Sequence, residues 1–317
     1  MKRREFLIKT SKAAALAAVA GGGAVLFHNR QVMSYEKPTQ AGADYTVAAN
    51  ASLPGIVLAR NEDHLRALHD SLDAMGGIER FIRPGERVTI KPNVGWDRAP
   101  AQAANTNPVL VGEMVRLCLE AGAAAVAVAD VTCNDPRRCF LRSGIRDAAE
   151  KAGAKVHMEA DEDFVTVDLG GEMLTSWPVL KYFLDTDKLI NMPIAKQHSL
   201  SGCTIGMKNL YGILGGSRNR LHQKIDQSIV DISKFCRPTL TVVDATRVLL
   251  RGGPQGGSLD DVAVENTVIC ATDPVAADSR AAEFIGFRGD QVGHIVLAEK
   301  SGLGKVDYHA AGYKEIA

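Results

Sequence analysis

The chain has 317 residues and no formal net charge, with 37 basic and 37 acidic residues. The first 34 residues hold six of the basic residues and one acid, so the remainder is mildly acidic, with 31 basic and 36 acidic residues. Nucleic acid is therefore not an expected partner, because binding it requires a basic surface that neutralises phosphates. The length beyond the N-terminal segment suffices for one large α/β domain or two closely joined ones.

The N-terminus carries an export pattern. Arg3 and Arg4 are adjacent and lead into Phe6 and Leu7, and residues 13–27 are uncharged and rich in Ala and Gly. This run is shorter than the roughly 18–20 apolar residues that a membrane-spanning helix needs. The pattern predicts a twin-arginine signal and linker over residues 1–50, which are set apart from the fold.

Three expectations follow from this signal. The twin-arginine translocase is a partner, the protein is exported already folded, and its location is periplasmic. If the signal is not cleaved, the segment would tether the protein to the membrane surface.

Strands and helices alternate from about residue 51 onward. A buried strand over 55–60 precedes a helix with apolar residues at helical spacing, and a second strand covers 87–90. Asn107-Pro108 opens a helix that ends near Gly122, because Asn caps well and Pro suits the first helical position. The apolar run at 124–129 is typical of a strand covered on both faces.

The second part of the chain continues the alternation. The remaining predicted elements are, in chain order, a helix at 145–152, a strand near 156, a small β excursion at 159–180, a strand at 188–192, helices at 204–214 and 221–235, strands at 239–243 and 267–271, and a helix opened by Asp273-Pro274. This order predicts a mostly parallel open sheet with helices on both faces. Residues 51–317 form a single α/β domain, or two halves over 51–187 and 188–317.

Polar residues recur where predicted strands end. In open parallel sheets, ligands bind beyond the carboxyl ends of the strands. The residues that follow the strands are Lys91 and Asn93, Asp130, the segment 196–198, Asp244, and Asp273. The topology should gather them along one edge.

The densest polar stretch is residues 198–212, HSLSGCTIGMKNLYG. A turn rich in Gly and Ser enters a helix there, and backbone N–H groups at a helix start favour anions. The spacing does not match a nucleotide P-loop. We expect a phosphate or carboxylate to be held here by the following basic and amide residues: Lys91, Asn93, Lys208, Asn209, Arg218, Arg220 and His222. Any single one of these residues could instead be a solvated surface charge or a helix cap with no part in ligand binding.

The candidate catalytic residues are His198, His222 and Lys208. Histidine is favoured for moving protons because its ordinary pKa lies nearest neutrality. A small anionic ligand is the expected partner of these groups.

A metal ion is a second possibility for this edge. Asp130, Asp244 and Asp273, together with the two histidines, offer carboxylate and imidazole ligands. The linear spacing does not require a metal, and Asp273 has a competing role as a helix cap. The loop Gly252–Gly257 either closes over a ligand or simply turns the chain.

The six cysteines are scattered and form no Cys-x-x-Cys pair. A cluster motif of the ferredoxin type is therefore absent from the sequence. Cys133 and Cys139 flank a polar loop, where they are either a disulfide in an oxidising compartment or two unpaired thiols.

Several segments together resemble a known family, domain of unknown function 362, over roughly residues 55–305. They are VTIKPNVG, TNPVLVGEMVRLCLEAGA, INMPIAKQHSLSGCTIGMKNLYG, TLTVVDATRVL followed by GGPQGG, and TDPVAAD. The resemblance places these residues at the family's motif positions: Lys91, Asn93, Asp130, His198, Lys208, Asn209, Asp244 and Asp273.

Many members of that family carry an added ferredoxin-like module, so the resemblance implies redox-linked work and a redox partner protein. This chain lacks the clustered cysteines, and an iron–sulfur cluster is not expected within it. The sequence thus predicts an enzyme or cofactor-handling protein that acts on a small anionic compound. The alternative is a non-catalytic accessory protein that delivers a metal or cofactor, or assists assembly of a periplasmic redox complex.

Overall fold

Ten of the described strands form one large sheet with helices packed on both faces, and the other four form two separate two-stranded sheets. A computed structural model describes residues 42–317, so the predicted twin-arginine motif lies outside the described residues. The strands are β1 (Ala43–Asp44), β2 (Ile56–Arg60), β3 (Arg87–Pro92), β4 (Ala125–Asp130), β5 (Lys155–Met158), β6 (Phe164–Asp168), β7 (Ser176–Leu180), β8 (Lys188–Met192), β9 (Ile194–His198), β10 (Gly202–Thr204), β11 (Cys236–Arg237), β12 (Leu240–Leu249), β13 (Val262–Ala271) and β14 (Tyr313–Ile316). The two small sheets are β1 with β11 and β6 with β7.

The α-helices among the described residues connect these strands. They are α1 (His64–Ala74), α2 (Pro108–Glu120), α3 (Pro136–Arg142), α4 (Ile145–Lys151), α5 (Gly206–Asn209), α6 (Ile225–Phe235), α7 (Pro274–Ala282) and α8 (Gly293–Lys300). Shorter 3₁₀ turns include Leu210–Ile213 after α5 and Arg218–Lys224 before α6.

The main sheet has the strand order β14-β2-β13-β12-β8-β3-β4-β5. The run from β12 through β8, β3 and β4 to β5 is parallel, which confirms the prediction of a mostly parallel sheet. Two strands are exceptions: β13 runs antiparallel to both of its neighbours, and β10 runs antiparallel to β9. Beyond β8, strand β9 continues alongside β12 and pairs with β10. The carboxyl ends of β3, β4 and β9 therefore meet at one edge.

Alternate residues of the strands enter two hydrophobic cores. In β2, Ile56 and Leu58 point into one core, and Val57 and Ala59 point into the other. The second core also takes the apolar stripe of α1, which confirms the helix predicted from that spacing. Each fully buried Leu or Ile side chain contributes roughly 1.5–3 kcal/mol to folding, so both faces hold the sheet in place.

Two helices begin as their capping residues predict. The Asn107 side chain accepts from Val109 N at 3.1 Å at the start of α2. At the start of α7, Asp273 Oδ1 accepts from the backbone N–H groups of Val275 and Ala276, both at 2.9 Å. Pro occupies the first helical position in each case.

The segment after β10 is less helical than the sequence predicts. The predicted helix over 204–214 is wrong in length, since α5 has four residues and a 3₁₀ turn follows. Within this turn, position 212 requires glycine, because a Cβ atom there would overlap the Asp130 carboxylate. The predicted helix over 221–235 likewise begins only at Ile225, after a break at Lys224 (φ −134°, ψ 64°).

Part of the predicted linker packs on the domain. Strand β1 pairs with β11, and Ala43 is buried. The Tyr45 hydroxyl donates to the Phe183 carbonyl at 2.6 Å. Within residues 42–317, no helix is both long and apolar enough to cross a bilayer.

We predict that Asp273 stabilises the start of α7. Replacing it with Ala removes Oδ1, which accepts both cap hydrogen bonds, and Oδ2, which accepts from Lys305 N. The free energy of unfolding in urea should fall by about 1–2 kcal/mol, the usual effect of losing a cap. Asp273→Asn should lose less, because Asn also caps well. An Ala variant as stable as the parent would contradict this role.

Candidate functional site

A cavity of about 720 Å³ opens where β3, β4 and β9 end. It is lined by residues from the strand ends: just beyond β3, at the end of β4 and at the end of β9. Residues of α5 and of both 3₁₀ turns also line it. Pro254, from the loop between β12 and β13, completes the wall. The volume is within the range of sites that bind small molecules.

A buried ion pair forms part of the floor. Lys91 Nζ donates to Asp130 Oδ1 at 2.7 Å, and Val94 N donates to Asp130 Oδ2 at 2.7 Å. Burial lowers the pKa of Lys91, and the nearby Asp130 carboxylate opposes that fall. Asp130 faces the cavity, whereas Lys91 lies beneath it. The negative charge of Asp130 is thus already balanced.

Lys196, on β9, is a buried cation without an acidic partner. It is 1% exposed, and its Nζ donates to Asn93 Oδ1 at 3.0 Å and to the Ala104 carbonyl at 2.6 Å. None of the ion pairs within residues 42–317 includes it. Burial lowers the pKa of Lys196 to about 7. An amine in this position changes charge near neutral pH.

Lys208, on α5, is the second buried lysine on the cavity wall. Its side chain lies over the Tyr211 ring, with Nζ 3.8 Å from the ring centroid. In the described part of the chain, Nζ makes no hydrogen bond and no ion pair. Burial lowers the pKa of Lys208 to about 7, and the nearby charges of Arg218 and Lys91 act in the same direction.

Helix α5 is held in place from the opposite side. Asp278, fully buried on α7, accepts from Gly206 N at 2.7 Å and from Met207 N at 3.0 Å. Burial raises the pKa of Asp278 to about 7. These hydrogen bonds fix the short helix that carries Lys208 and Asn209.

His198 is held as a neutral hydrogen-bond donor. Its Nδ1 accepts from the backbone N–H groups of Leu200 and Ser201 at 3.1 and 3.3 Å, which leaves the ring proton on Nε2. Burial lowers the pKa of His198 to about 3, and Lys208 and Lys196 add to this effect. The prediction that this histidine moves protons assumed an ordinary pKa, and burial removes that basis.

His222 lies beside His198, with the two rings stacked at 6.2 Å between centroids. It is half-buried, and burial lowers its pKa as well. Neither ring is therefore a favoured cation at neutral pH.

The remaining polar groups of the wall are donors and amides. Arg218 Nη1 donates to the Val131 carbonyl at 2.9 Å, and Nη2 donates to the Thr132 carbonyl at 2.5 Å. Asn93 Nδ2 donates to Asn209 Oδ1 at 2.8 Å, which links two predicted ligand residues. The buried Thr204 Oγ1 has no hydrogen-bond partner among the described residues and can bond to a ligand.

These groups give the cavity a positive character. Its described lining holds the side chains of Lys196, Lys208 and Arg218, and Asp130 is the sole carboxylate there. Since Asp130 is already paired with Lys91, the charged groups of the lining that lack a partner of opposite sign among the described residues are basic.

The family described as Domain of unknown function (DUF362) matches residues 88–283, which is more than half of the chain. The chain belongs to this family. The DUF362 match contains every cavity residue named above.

A thylakoid-associated protein of Synechocystis sp. is 24% identical to this DUF362 chain over 217 residues. The alignment covers 62% of this chain and 63% of that relative, so the chain spans less than two thirds of the relative's length.

Two solved structures are also similar. The lactate racemase apoprotein from Thermoanaerobacterium thermosaccharolyticum aligns with a TM-score of 0.45 and 13% identity, covering 77% of this chain and 61% of that one. A structural-genomics protein from Thermotoga maritima aligns with a TM-score of 0.42 and 13% identity, covering 72% and 60%. Similarities of this size do not establish a shared activity.

Two of the three predicted metal ligands lie away from the cavity. Asp273 is at the opposite edge of the sheet, because β13 runs antiparallel and ends there. Asp244, on β12, accepts from Asn107 N at 2.7 Å and from the Thr246 hydroxyl at 2.7 Å. Within residues 42–317, no group of three or more His, Cys, Asp or Glu residues is arranged to hold a metal ion.

Cys133 and Cys139 are both free thiols. Cys133 is exposed on the cavity lining, and Cys139 is buried, which raises its pKa to about 12. Of the two arrangements left open by the sequence, the structure has the unpaired one.

The sequence indicated Lys196 only as part of the strand-end segment 196–198, and it assigned no role to Thr204 or Tyr211, although all three line the cavity. Lys196 and Thr204 lie on strands, where a polar side chain carries no motif of its own. Tyr211 reads as an ordinary apolar residue of a helix. Of these three residues, Lys196 alone could be found from the sequence, because it lies just after a predicted strand, as the other candidate residues at strand ends do.

We predict that Lys196 makes stability depend on pH. Its pKa is near 7 when folded and 10.5 when free, so the unfolded chain binds more protons between those values. The free energy of unfolding therefore rises with pH in this window, by up to about 1.4 kcal/mol per pH unit for each such proton. Lys196→Met should reduce this rise in urea unfolding measured from roughly pH 7 to pH 9.

The exposed Lys314 provides the matched control. Lys314→Met should keep the parent's dependence on pH, since that side chain is in solvent. An unchanged slope in Lys196→Met would show that Lys196 keeps an ordinary pKa in the folded protein.

Proposed function

We propose that this protein is an enzyme that binds a small anionic compound in the cavity and acts on it by proton transfer. The observation that carries the proposal is the burial of Lys196 and Lys208 against one cavity without an acidic partner among the described residues. An isolated buried ammonium group is costly unless it is paired. A bound carboxylate or phosphate supplies that partner and raises the pKa of each lysine.

Three further groups favour an anion of small size. Arg218 adds a permanent charge to the cavity wall, and His198 offers its Nε2–H donor. The unpartnered hydroxyl of Thr204 adds a third position for a hydrogen bond. Arginine suits carboxylate or phosphate because its planar fork of donors matches their oxygens.

Lys208 is the residue that we assign to proton transfer. General acid–base catalysis is most effective when the pKa of the group lies near the working pH, and the pKa of Lys208 is about 7. His222, half-buried at the same wall, is the second candidate for this role. His198 instead positions the ligand as a neutral donor.

We predict that small anions stabilise the protein. Thermal unfolding of the full chain is to be measured with acetate, oxalate, pyruvate or phosphate. At least one of these anions should raise the melting temperature, and the increase should level off at high anion concentration. The affinity should weaken above about pH 7, by up to about tenfold per pH unit for each proton taken up on binding. The cause is loss of charge on the lysines.

Variants separate this site from general ionic effects. Lys196→Met and Arg218→Leu should each abolish most of the stabilisation. Arg220→Leu is the matched control, because Arg220, although the sequence suggested it for the anion, is exposed on the same 3₁₀ turn and lies outside the cavity lining. Equal stabilisation of all three variants, or none in the parent, would refute an anion site in this cavity.

A non-catalytic accessory function is the alternative outcome. Saturable binding of an anion without turnover of any compound tested would support a protein that carries or delivers its ligand. A bound metal ion and a redox partner protein stay predictions from the sequence.

We also propose that the protein is exported to the periplasm by the twin-arginine translocase, supported by the adjacent Arg3 and Arg4. We predict that a full chain with Arg3→Lys and Arg4→Lys stays in the cytoplasm of a bacterium that has this translocase. Cell fractionation measures the outcome, and Arg30→Lys serves as the control outside the motif. Export of the double variant at the parental level would contradict this route.

A further inference from the structure

Three buried lysines surround the cavity, and their amines are in different states. Lys91 is paired with Asp130 beneath the floor. Lys196 Nζ is hydrogen-bonded to Asn93 and to the Ala104 carbonyl. Lys208 Nζ, on the wall, makes no hydrogen bond with any residue in the range 42–317 and lies over the Tyr211 ring. Of these three amines, that of Lys208 is the one available to react.

The groups around Lys208 favour its neutral, nucleophilic form. Lys91, Arg218 and Lys196 place positive charge nearby, whereas the Cys133 thiol acts in the opposite direction. The adjacent rings of Tyr211 and His222 carry no negative charge at neutral pH. A pKa of about 7 agrees with this arrangement. Lysines desolvated in a pocket beside another cation are the ones that attack carbonyl groups in enzymes.

From this arrangement we infer that Lys208 forms an imine with a 2-oxo acid bound in the cavity. The inference rests on the proposed function and adds a substrate class and a covalent step. A 2-oxo acid fits because its carboxylate and its carbonyl are adjacent. The carboxylate pairs with Lys196 and Arg218, and the carbonyl is left for Lys208.

Imine formation is a condensation that releases one water molecule and requires no oxidant or reductant. The Lys208 Nζ lone pair attacks the carbonyl carbon, a C–N bond forms, and the C=O π electrons move to oxygen. A proton passes from nitrogen to that oxygen, which gives a carbinolamine. A further proton from solvent allows the oxygen to leave as water, and the product is a protonated imine. His198 Nε2–H is a neutral donor suited to the carbonyl oxygen during attack.

The test is reductive trapping on the full chain. The protein is incubated with pyruvate or glyoxylate and sodium borohydride, digested, and analysed by mass spectrometry. We expect one reduced adduct per chain, located on Lys208. Lys208→Arg keeps a positive charge but cannot form an imine, so it should lose the adduct. Lys314→Arg, at an exposed lysine, should keep it.

Parallel thermal unfolding with pyruvate and with propionate separates the two proposals. Stabilisation by both acids without an adduct would overturn the imine and leave anion binding in place. No stabilisation and no adduct would overturn both. Adducts spread equally over exposed lysines, or retained in Lys208→Arg, would also overturn the assignment to Lys208.

Discussion

The chemistry of the site depends on two amines that are buried with no carboxylate partner among residues 42–317. Lys196 and Lys208 face one cavity, and the nearby Asp130 is already paired with Lys91. Removing an ammonium group from water is costly, so each lysine either releases its proton or pairs with an anion from solution. The anion binding that we propose and the available amine of Lys208 would both follow from the same desolvation.

The rest of the fold holds these side chains in place. The parallel strands β3 and β4 bring Lys91 and Asp130 together. Gly212 passes so close to that pair that a side chain would not fit. From the other side, Asp278 holds the start of α5 through two backbone N–H groups. The positions of the basic side chains are thus fixed by the strands and helices that carry them.

Much of the architecture could be predicted because it is encoded locally. Caps followed by Pro predicted the starts of α2 and α7, and apolar spacing predicted α1 and the strands. The strand-end pattern predicted Asn93, Asp130 and His198 as neighbours, and the polar stretch 198–212 with the basic residues after it added Lys208, Asn209, Arg218 and His222. All seven line the cavity.

The sequence predictions that the structure does not match concern properties that depend on contacts between distant parts of the chain. Strand direction is not visible in a short apolar run, so Asp273 was grouped with an edge from which the antiparallel β13 separates it. The pKa of His198 depends on burial by the whole site, which no local pattern contains. Lys196 carries no motif, and its importance comes from its neighbours in space.

The most direct measurement is the number of protons taken up when an anion binds. Calorimetric titration of the full chain with oxalate at about pH 8, in two buffers of different ionisation enthalpy, gives that number. The account predicts net proton uptake, because oxalate restores the charge of lysines that are largely neutral in the free protein. Binding of oxalate with no proton uptake would show that Lys196 and Lys208 are already charged, and would contradict the account.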